Sequence, residues 1–229
     1  MPRLTLFKPI LAGAQLWPRL VAVLGAAIGI SLTMIICLQF PIVYADLPII
    51  VAPIGASAVL VFAVPSSPLA QPWSVVGGNI LSTLVGVAAA QVIPHMALAA
   101  GVAVGGAILV MSLFRCLHPP GGAAALTAVI GSQSIHAAGY AFAFAPVGIN
   151  SIALVSIAMM FHRMSGHSYP HQPIAPPMPE VMAKSPIDMD DIDLALADMD
   201  ESFDISREDL QQLFTQAELH AMQRRASAV

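Results

Sequence analysis

The stretch of this sequence best equipped for chemistry is Arg115-Cys116-Leu117-His118-Pro119-Pro120-Gly121-Gly122-Ala123. A guanidinium and a titratable imidazole stand directly before two prolines and two glycines. Proline at the first helical position is well tolerated, because its missing N–H would be unpaired there anyway. A helix starting at Pro119 or Pro120 presents its first amides, with roughly half a positive charge, to whatever lies before it. Gly121 and Gly122 leave that backbone bare, so a ligand can approach closely. Helix starts of this kind bind anions. An earlier stretch, Pro53-Ile54-Gly55-Ala56-Ser57-Ala58-Val59, offers the same start with a hydroxyl but without the arginine and histidine. Gly55, Ala56, Ser57, Arg115, His118, Gly121, Gly122 and Ala123 are therefore candidate substrate-binding residues, with Asn79 and Asn150 beside them.

Each has a plainer reading. Arg115 at a helix end can snorkel to an interface. His118 can bond a carbonyl at a helix boundary. Gly55 and Gly122 can serve close helix packing, and Ser57 can bond back to its own backbone. Asn79 and Asn150 are costly in hydrocarbon unless paired, so an interhelical bond competes with lining a pathway. His162, His167 and His171 near Arg163 have no cysteine or carboxylate beside them, so no metal or other cofactor is expected. No serine or cysteine has the surroundings of an activated nucleophile, and there is no Gly-x-x-x-x-Gly-Lys signature. The sequence reads as a non-enzyme, and its basic content is too low for nucleic acid.

Charge is distributed unevenly. Asp46 is the one carboxylate in the first 179 positions, against Arg3, Lys8, Arg19, Arg115 and Arg163. The other 12 acidic residues lie in the last 50, offset by Lys184, Arg207, Arg224 and Arg225. The chain is 57% hydrophobic and 10% charged, against a soluble norm of about 25% charged. This is a membrane unit with a polar appendage. An interior nearly free of negative charge suits an anion better than a cation. Cys37 and Cys116 sit in or beside apolar runs and read as small buried side chains rather than a disulfide.

Uncharged runs long enough to cross a roughly 30 Å hydrocarbon core are Leu20–Phe40, Val75–Ile93, Ala97–Phe114 and Gly139–Phe161. The first is a transmembrane helix rather than a cleaved signal, with Trp17 and Tyr44 at the interfaces. Pro53–Val64 and Pro119 or Pro120 to Ile130 are shorter, about 18 Å as helices. The two short stretches align at an offset of 67, and Val76-Gly77-Gly78-Asn79 aligns with Val147-Gly148-Ile149-Asn150 at an offset of 71. The expected fold class is all-α: a polytopic membrane helical bundle of four full transmembrane helices and two short Pro/Gly-started half-helices in two repeats, then a soluble helical tail. Interrupted helices in repeats point to a transport site at the repeat interface. If the half-helices re-enter, the spans number four and the repeats are parallel. If they cross, the spans number six and the repeats are inverted. Either way both termini share a side, cytoplasmic by the positive-inside rule.

The domain expectation is 1–165 membrane unit, 166–187 proline-rich linker and 188–229 acidic cytoplasmic helical tail. In the tail, Ile192, Leu196 and Met199 form one stripe. Ser206 with Asp209 resembles a capping box, and Arg224 and Arg225 suit the helix end.

His118-Pro119-Pro120-Gly121-Gly122-Ala123 resembles the signature that names the HPP family of integral membrane proteins. Pro53-Ile54-Gly55-Ala56-Ser57-Ala58-Val59-Leu60 and Pro65-Ser66-Ser67-Pro68-Leu69-Ala70-Gln71-Pro72 resemble it too. Gly77-Gly78-Asn79 stands where the family is associated with Gly-Gly-His, so Asn79 is a departure. The likeness covers roughly residues 15–165. It implies four transmembrane helices, which favours re-entrant half-helices, and a link to nitrite transport. Ile205–Leu210 and Ala217–His220 resemble the connector that in some members leads to CBS domains. Those domains do not occur in this sequence, so a short member or a piece of a longer protein is expected. The functional expectation is transport of a small monovalent anion, nitrite or one like it, across a bacterial inner membrane. The partners are the lipid bilayer and a second copy in a homodimer. The alternative is a membrane sensor or scaffold signalling through its acidic tail.

Overall fold

Proline decides where several helices of this protein begin. In the computed structural model, which describes residues 16–39, 47–172, 187–199 and 204–226, α1 runs Leu16–Cys37 and α2 Pro53–Ala63. A 3₁₀ turn over Pro68–Ala70 then leads to α3, Pro72–Val92. Next come α4 (Met96–Leu113), α5 (Pro119–Ile130), α6 (Gln133–Ala138) and α7 (Ile149–Ser165). The tail holds α8 (Met189–Met199) and α9 (Arg207–Ala226). Helices α2, α3 and α5 each carry proline at their first position. The ring's fixed φ is already helical there.

The fold is all-helical among the described residues. Four spans are long and apolar enough to cross a membrane: Leu16–Cys37, Pro72–Val92, Met96–Leu113 and Ala143–Ser165. Two shorter apolar helices, Pro53–Ala63 and Pro119–Ile130, accompany them. The fourth span is not the smooth helix its composition predicts. It enters through a π-type turn at Ala143–Gly148, with Ala145 out of helical geometry and Pro146 inside. Proline lacks the N–H that would continue the ladder, and its ring crowds the preceding turn. The short helix α6 was not foreseen.

Contacts in the bundle show which way each helix runs. Along α3, Gly78 meets Cys116 and His118, Ser82 meets Gly121, and Gly86 meets Ala125. Residue numbers rise together, so α3 and α5 are parallel. Asn79 bonds Ser151, Ile80 packs on Gly148 and Gln91 approaches Gly139. Here the numbers run oppositely, so α3 and α7 with its entry turn are antiparallel. Gly25 lies against Phe161 and Cys37 against Asn150, so α1 is antiparallel to α7. Val51 and Val61 meet Asn150 and His162 in step, so α2 is parallel to α7. Helix α4 returns along α3, with Gly106 at Val85 and Met111 at Gly78.

One arrangement satisfies all of these: successive helices alternate in direction, and each short helix runs opposite to the long helices on either side of it. Each has a non-helical lead-in, residues 47–52 before α2 and 114–118 before α5. The re-entrant, four-crossing arrangement that the family resemblance favours needs α3 and α7 parallel. With six crossings the repeats are inverted. The third helix of each repeat packs on the first two of the other: α7 on α1 and α2, α3 on α4 and α5. Charge agrees, since the described arginines Arg19, Arg115 and Arg163 all fall at one end of the bundle.

Close packing at small residues makes this possible. A Cβ on Gly86 would stand 2.3 Å from the Ala125 carbonyl oxygen. On Gly29 it would stand 2.5 Å from the Phe62 ring. Helices in lipid associate through such backbone approaches because no hydrophobic force separates helix from lipid.

The described residues divide into two compact units: residues up to 65 with 69–170, and 66–68 with 171 onward. In the second, α8 and α9 pack on each other. Ser206 and Asp209 form the foreseen cap, Asp209 N–H donating to Ser206 Oγ at 3.1 Å. His171 Nε2 lies 2.9 Å from Asp209 Oδ1, and Arg207 pairs with Asp193. Arg3, Lys8, Phe40, Tyr44, Asp46 and linker residues 173–186 lie outside the described residues.

Side of exposure tests the crossing number. Single cysteines replacing His95, Arg115 and Met164, all exposed, are labelled with an impermeant maleimide; Cys37 and Cys116 are buried. Position 115 should label from the same face as 164, and 95 from the other. Position 95 sharing the face of 164 would restore the four-crossing arrangement.

Candidate functional site

The two half-helix starts meet inside the bundle, joined by side chains from four helices. His118 precedes α5 and is fully buried. Its Nδ1 lies 2.8 Å from the Leu69 carbonyl oxygen. A carbonyl only accepts, so Nδ1 carries the hydrogen. Its Nε2 lies 2.8 Å from Ser57 Oγ on α2. In the neutral ring Nε2 accepts, and Ser57 donates to it. Asn79 Nδ2 on α3 donates to Ser57 Oγ at 3.2 Å and to Ser151 Oγ on α7 at 3.2 Å. Ser151 donates on to the Val147 carbonyl at 2.9 Å.

Ser57 Oγ also lies 3.1 Å from the Pro53 carbonyl oxygen, and its hydroxyl has one hydrogen. Protonating His118 would make Nε2 a donor, so that Ser57 turns its hydrogen to Pro53. The position of one proton thus sets the direction of a hydroxyl that ties α2 to α5.

Asn150 has a different task. Its Oδ1 accepts from Val51 N–H at 3.0 Å. Its Nδ2 donates to the Ile49 carbonyl at 2.9 Å and approaches Cys37 Sγ at 3.1 Å. Both amide atoms grip the backbone of the lead-in before α2. At the other end, Arg19 Nη1 donates to the Ala63 carbonyl at 2.9 Å, placing a cation at the negative end of the α2 dipole.

Of the residues singled out from sequence, Ser57, Asn79 and His118 are brought together. Gly121 is buried beside them, while Gly122 is half-buried. Asn150 belongs to the neighbouring clamp. Gly55, Ala56 and Ala123 lie on outward, exposed faces of the half-helices, and Arg115 is exposed. Arg115 adopts φ 54°, left-handed for a residue with a Cβ, where the chain turns out of α4.

The first-turn amides are largely spoken for. Pro53, Pro119 and Pro120 have none. Gly121 N–H donates to the His118 carbonyl at 2.8 Å, Ile54 to Val51 at 3.0 Å and Gly55 to Ala52 at 3.0 Å. The joint therefore presents side-chain groups more than bare amides. Asn79 Oδ1 and Ser82 Oγ, both buried, have no hydrogen-bond partner among the described residues. Ser82, Ser151 and the clamping partner Cys37 escaped the sequence reading. Ser82 was findable, since it lies one turn from Asn79 on the same face. Among the described residues of the membrane unit there is no carboxylate. Nor do three His, Cys, Asp or Glu side chains among the described residues gather as a metal site would require.

Such a bundle, with four spans long and apolar enough to cross a membrane and two short helices meeting at a neutral polar joint, is a multi-pass helical membrane protein. The chain matches the HPP transmembrane-region family over residues 12–170 and belongs to it. It is 34% identical over 131 residues to a protein of Dictyostelium discoideum named as a transmembrane protein, covering 55% of this chain and 46% of that one. A second such protein from the same organism is 36% identical over 115 residues, covering 48% of this chain and 37% of the relative. The matches thus span less than half the length of these relatives. No solved structure matches the chain.

The roles of the two asparagines separate by stability. Asn150→Ala strands the buried Val51 N–H and the part-buried Ile49 carbonyl and should cost about 2–4 kcal/mol, at roughly 1–3 for the first and about 1 for the second. Asn79→Ala leaves two hydroxyls that already have other partners and should cost about 1 kcal/mol. Unfolding in detergent measures both. Equal losses would contradict the clamp.

Proposed function

We propose that this protein moves a small monovalent anion, nitrite or one like it, across a bacterial inner membrane. The carrying observation is the joint itself. Two oppositely directed half-helices start at the same buried place, within reach of hydroxyl, amide and imidazole groups, in a unit whose described residues hold arginines but no carboxylate. Half-helix N-termini put positive dipole ends at that place, and neutral donors can solvate an anion without trapping it. His118 serves as the proton-responsive contact, Ser57 and Asn79 as polar lining, and Arg115 as an attracting charge at the arginine-bearing face. Asn150, Gly55, Ala56, Gly122 and Ala123 support the half-helices rather than touch the ion.

The positive-inside rule places the arginine-bearing face, and with it both termini, in the cytoplasm. A second copy is a reasonable cover for the exposed small faces of α2 and α5; mass photometry in detergent reads its presence. The reading of a sensor or scaffold draws on the separate second unit, whose α9 exposes Leu213, Phe214 and Met222.

Proteoliposomes test the transport reading. Reconstituted protein should carry nitrite faster than empty vesicles, and His118→Ala should lower that flux at least tenfold without loss of folded protein. Failure of nitrite, nitrate, formate and chloride alike to permeate would overturn it. A specific tail partner captured alongside zero flux would favour the sensor.

A further inference from the structure

The start of α5 is crowded by the side chains of Ser82 and Met111 and by the backbone of Gly78. A Cβ on Gly121 would stand 2.6 Å from Ser82 Oγ, 2.9 Å from Met111 Sδ and 3.0 Å from the Gly78 carbonyl oxygen. A Cβ on Gly78 would stand 3.4 Å from the same sulfur. Two glycines from facing helices, a hydroxyl and a thioether thus share one small volume. Met111 is almost wholly buried there, at 1% exposure. Ser82 is fully buried, and its Oγ has no hydrogen-bond partner among the described residues. Buried hydroxyls are nearly always paired, so an unpaired one aimed at a helix start is a donor without its acceptor. The sulfur is a poor substitute, being a weak acceptor. Methionine is unbranched and changes shape more readily in a core than a branched side chain.

The geometry points to Met111 as a movable plug, seated where a small anion sits when it takes a hydrogen bond from Ser82 at the first turn of α5. This rests on the transport reading and adds two residues to it. Ser82 is the donor that recognises the anion. Met111 is the group that keeps the resting site dry. Gly78 and Gly121 then have a functional reason to lack side chains: any Cβ there would fill the seat. The described arrangement is the closed one, which is why His118 and Ser82 have no exposed surface.

Flux in proteoliposomes tests this with graded truncations. Met111→Leu keeps the volume but is branched and less adaptable, and should lower nitrite flux. Met111→Val and Met111→Ala open the seat progressively and should raise flux, the latter by at least tenfold. Ser82→Ala in the Met111→Ala background should remove most of that gain. The valine variant keeps the test valid if the alanine variant fails to fold, with folding checked by size exclusion and thermal melting. Parental flux with all Met111 variants indistinguishable would overturn the plug and leave the transport reading standing. Gain in Met111→Ala that survives Ser82→Ala would overturn the role of Ser82. Absence of flux in every folded variant would overturn both readings together.

Discussion

A hydrogen bond between Ser57 and His118 ties the two short helices of this protein together. Each half-helix is short, starts in the interior and is entered by non-helical backbone. In hydrocarbon such backbone survives only where protein covers it and pairs its polar groups. The structure meets that demand without ion pairs. His118 is held at one nitrogen by the Leu69 carbonyl and at the other by Ser57. Asn79 braces Ser57 against Ser151. Asn150 fixes the other lead-in by its backbone. A stranded buried polar group costs about 1–3 kcal/mol, so each of these contacts is large beside the marginal stability of a folded chain.

Neutrality at the joint has a functional side. A fixed carboxylate or ammonium there would need a partner and would bind an opposite charge too tightly to release it. Hydroxyls, an amide and an imidazole can reorient instead. Their mobility is small in distance and large in effect, because turning one hydroxyl exchanges a donor for an acceptor on the path between the half-helices. The inverted repeats supply a natural framework for such a site. Each third helix packs on the other repeat, so a shift in one half is felt where both short helices begin.

Much of this was written plainly in the residues. Length and apolarity mark the four long spans, and Pro53, Pro119 and Pro120 mark where the short helices begin. The offset match of Asn79 with Asn150 marks the repeat. What the sequence withheld is of another kind. Crossing number depends on the relative direction of α3 and α7, a tertiary fact that hydropathy does not carry. The family resemblance leaned toward re-entrant half-helices, and an 11-residue helix such as α2 is too short on its own to span a bilayer. The matched asparagines also part company: Asn79 bridges side chains while Asn150 clamps backbone, and only the neighbouring helices decide which. Ser82 sits in an apolar helix, and its place against Gly121 is a tertiary fact. The break at Pro146 hid within an apolar run whose composition reads as continuous helix.

The claim that the joint accommodates an anion is tested most directly by diffraction from crystals of the protein soaked in bromide, using the anomalous signal of the ion. The account predicts a peak within hydrogen-bond distance of Ser82 Oγ beside the first turn of α5, with the Met111 side chain displaced. Peaks confined to the surface arginines, with Met111 in place and the joint unchanged at saturating bromide, would contradict it.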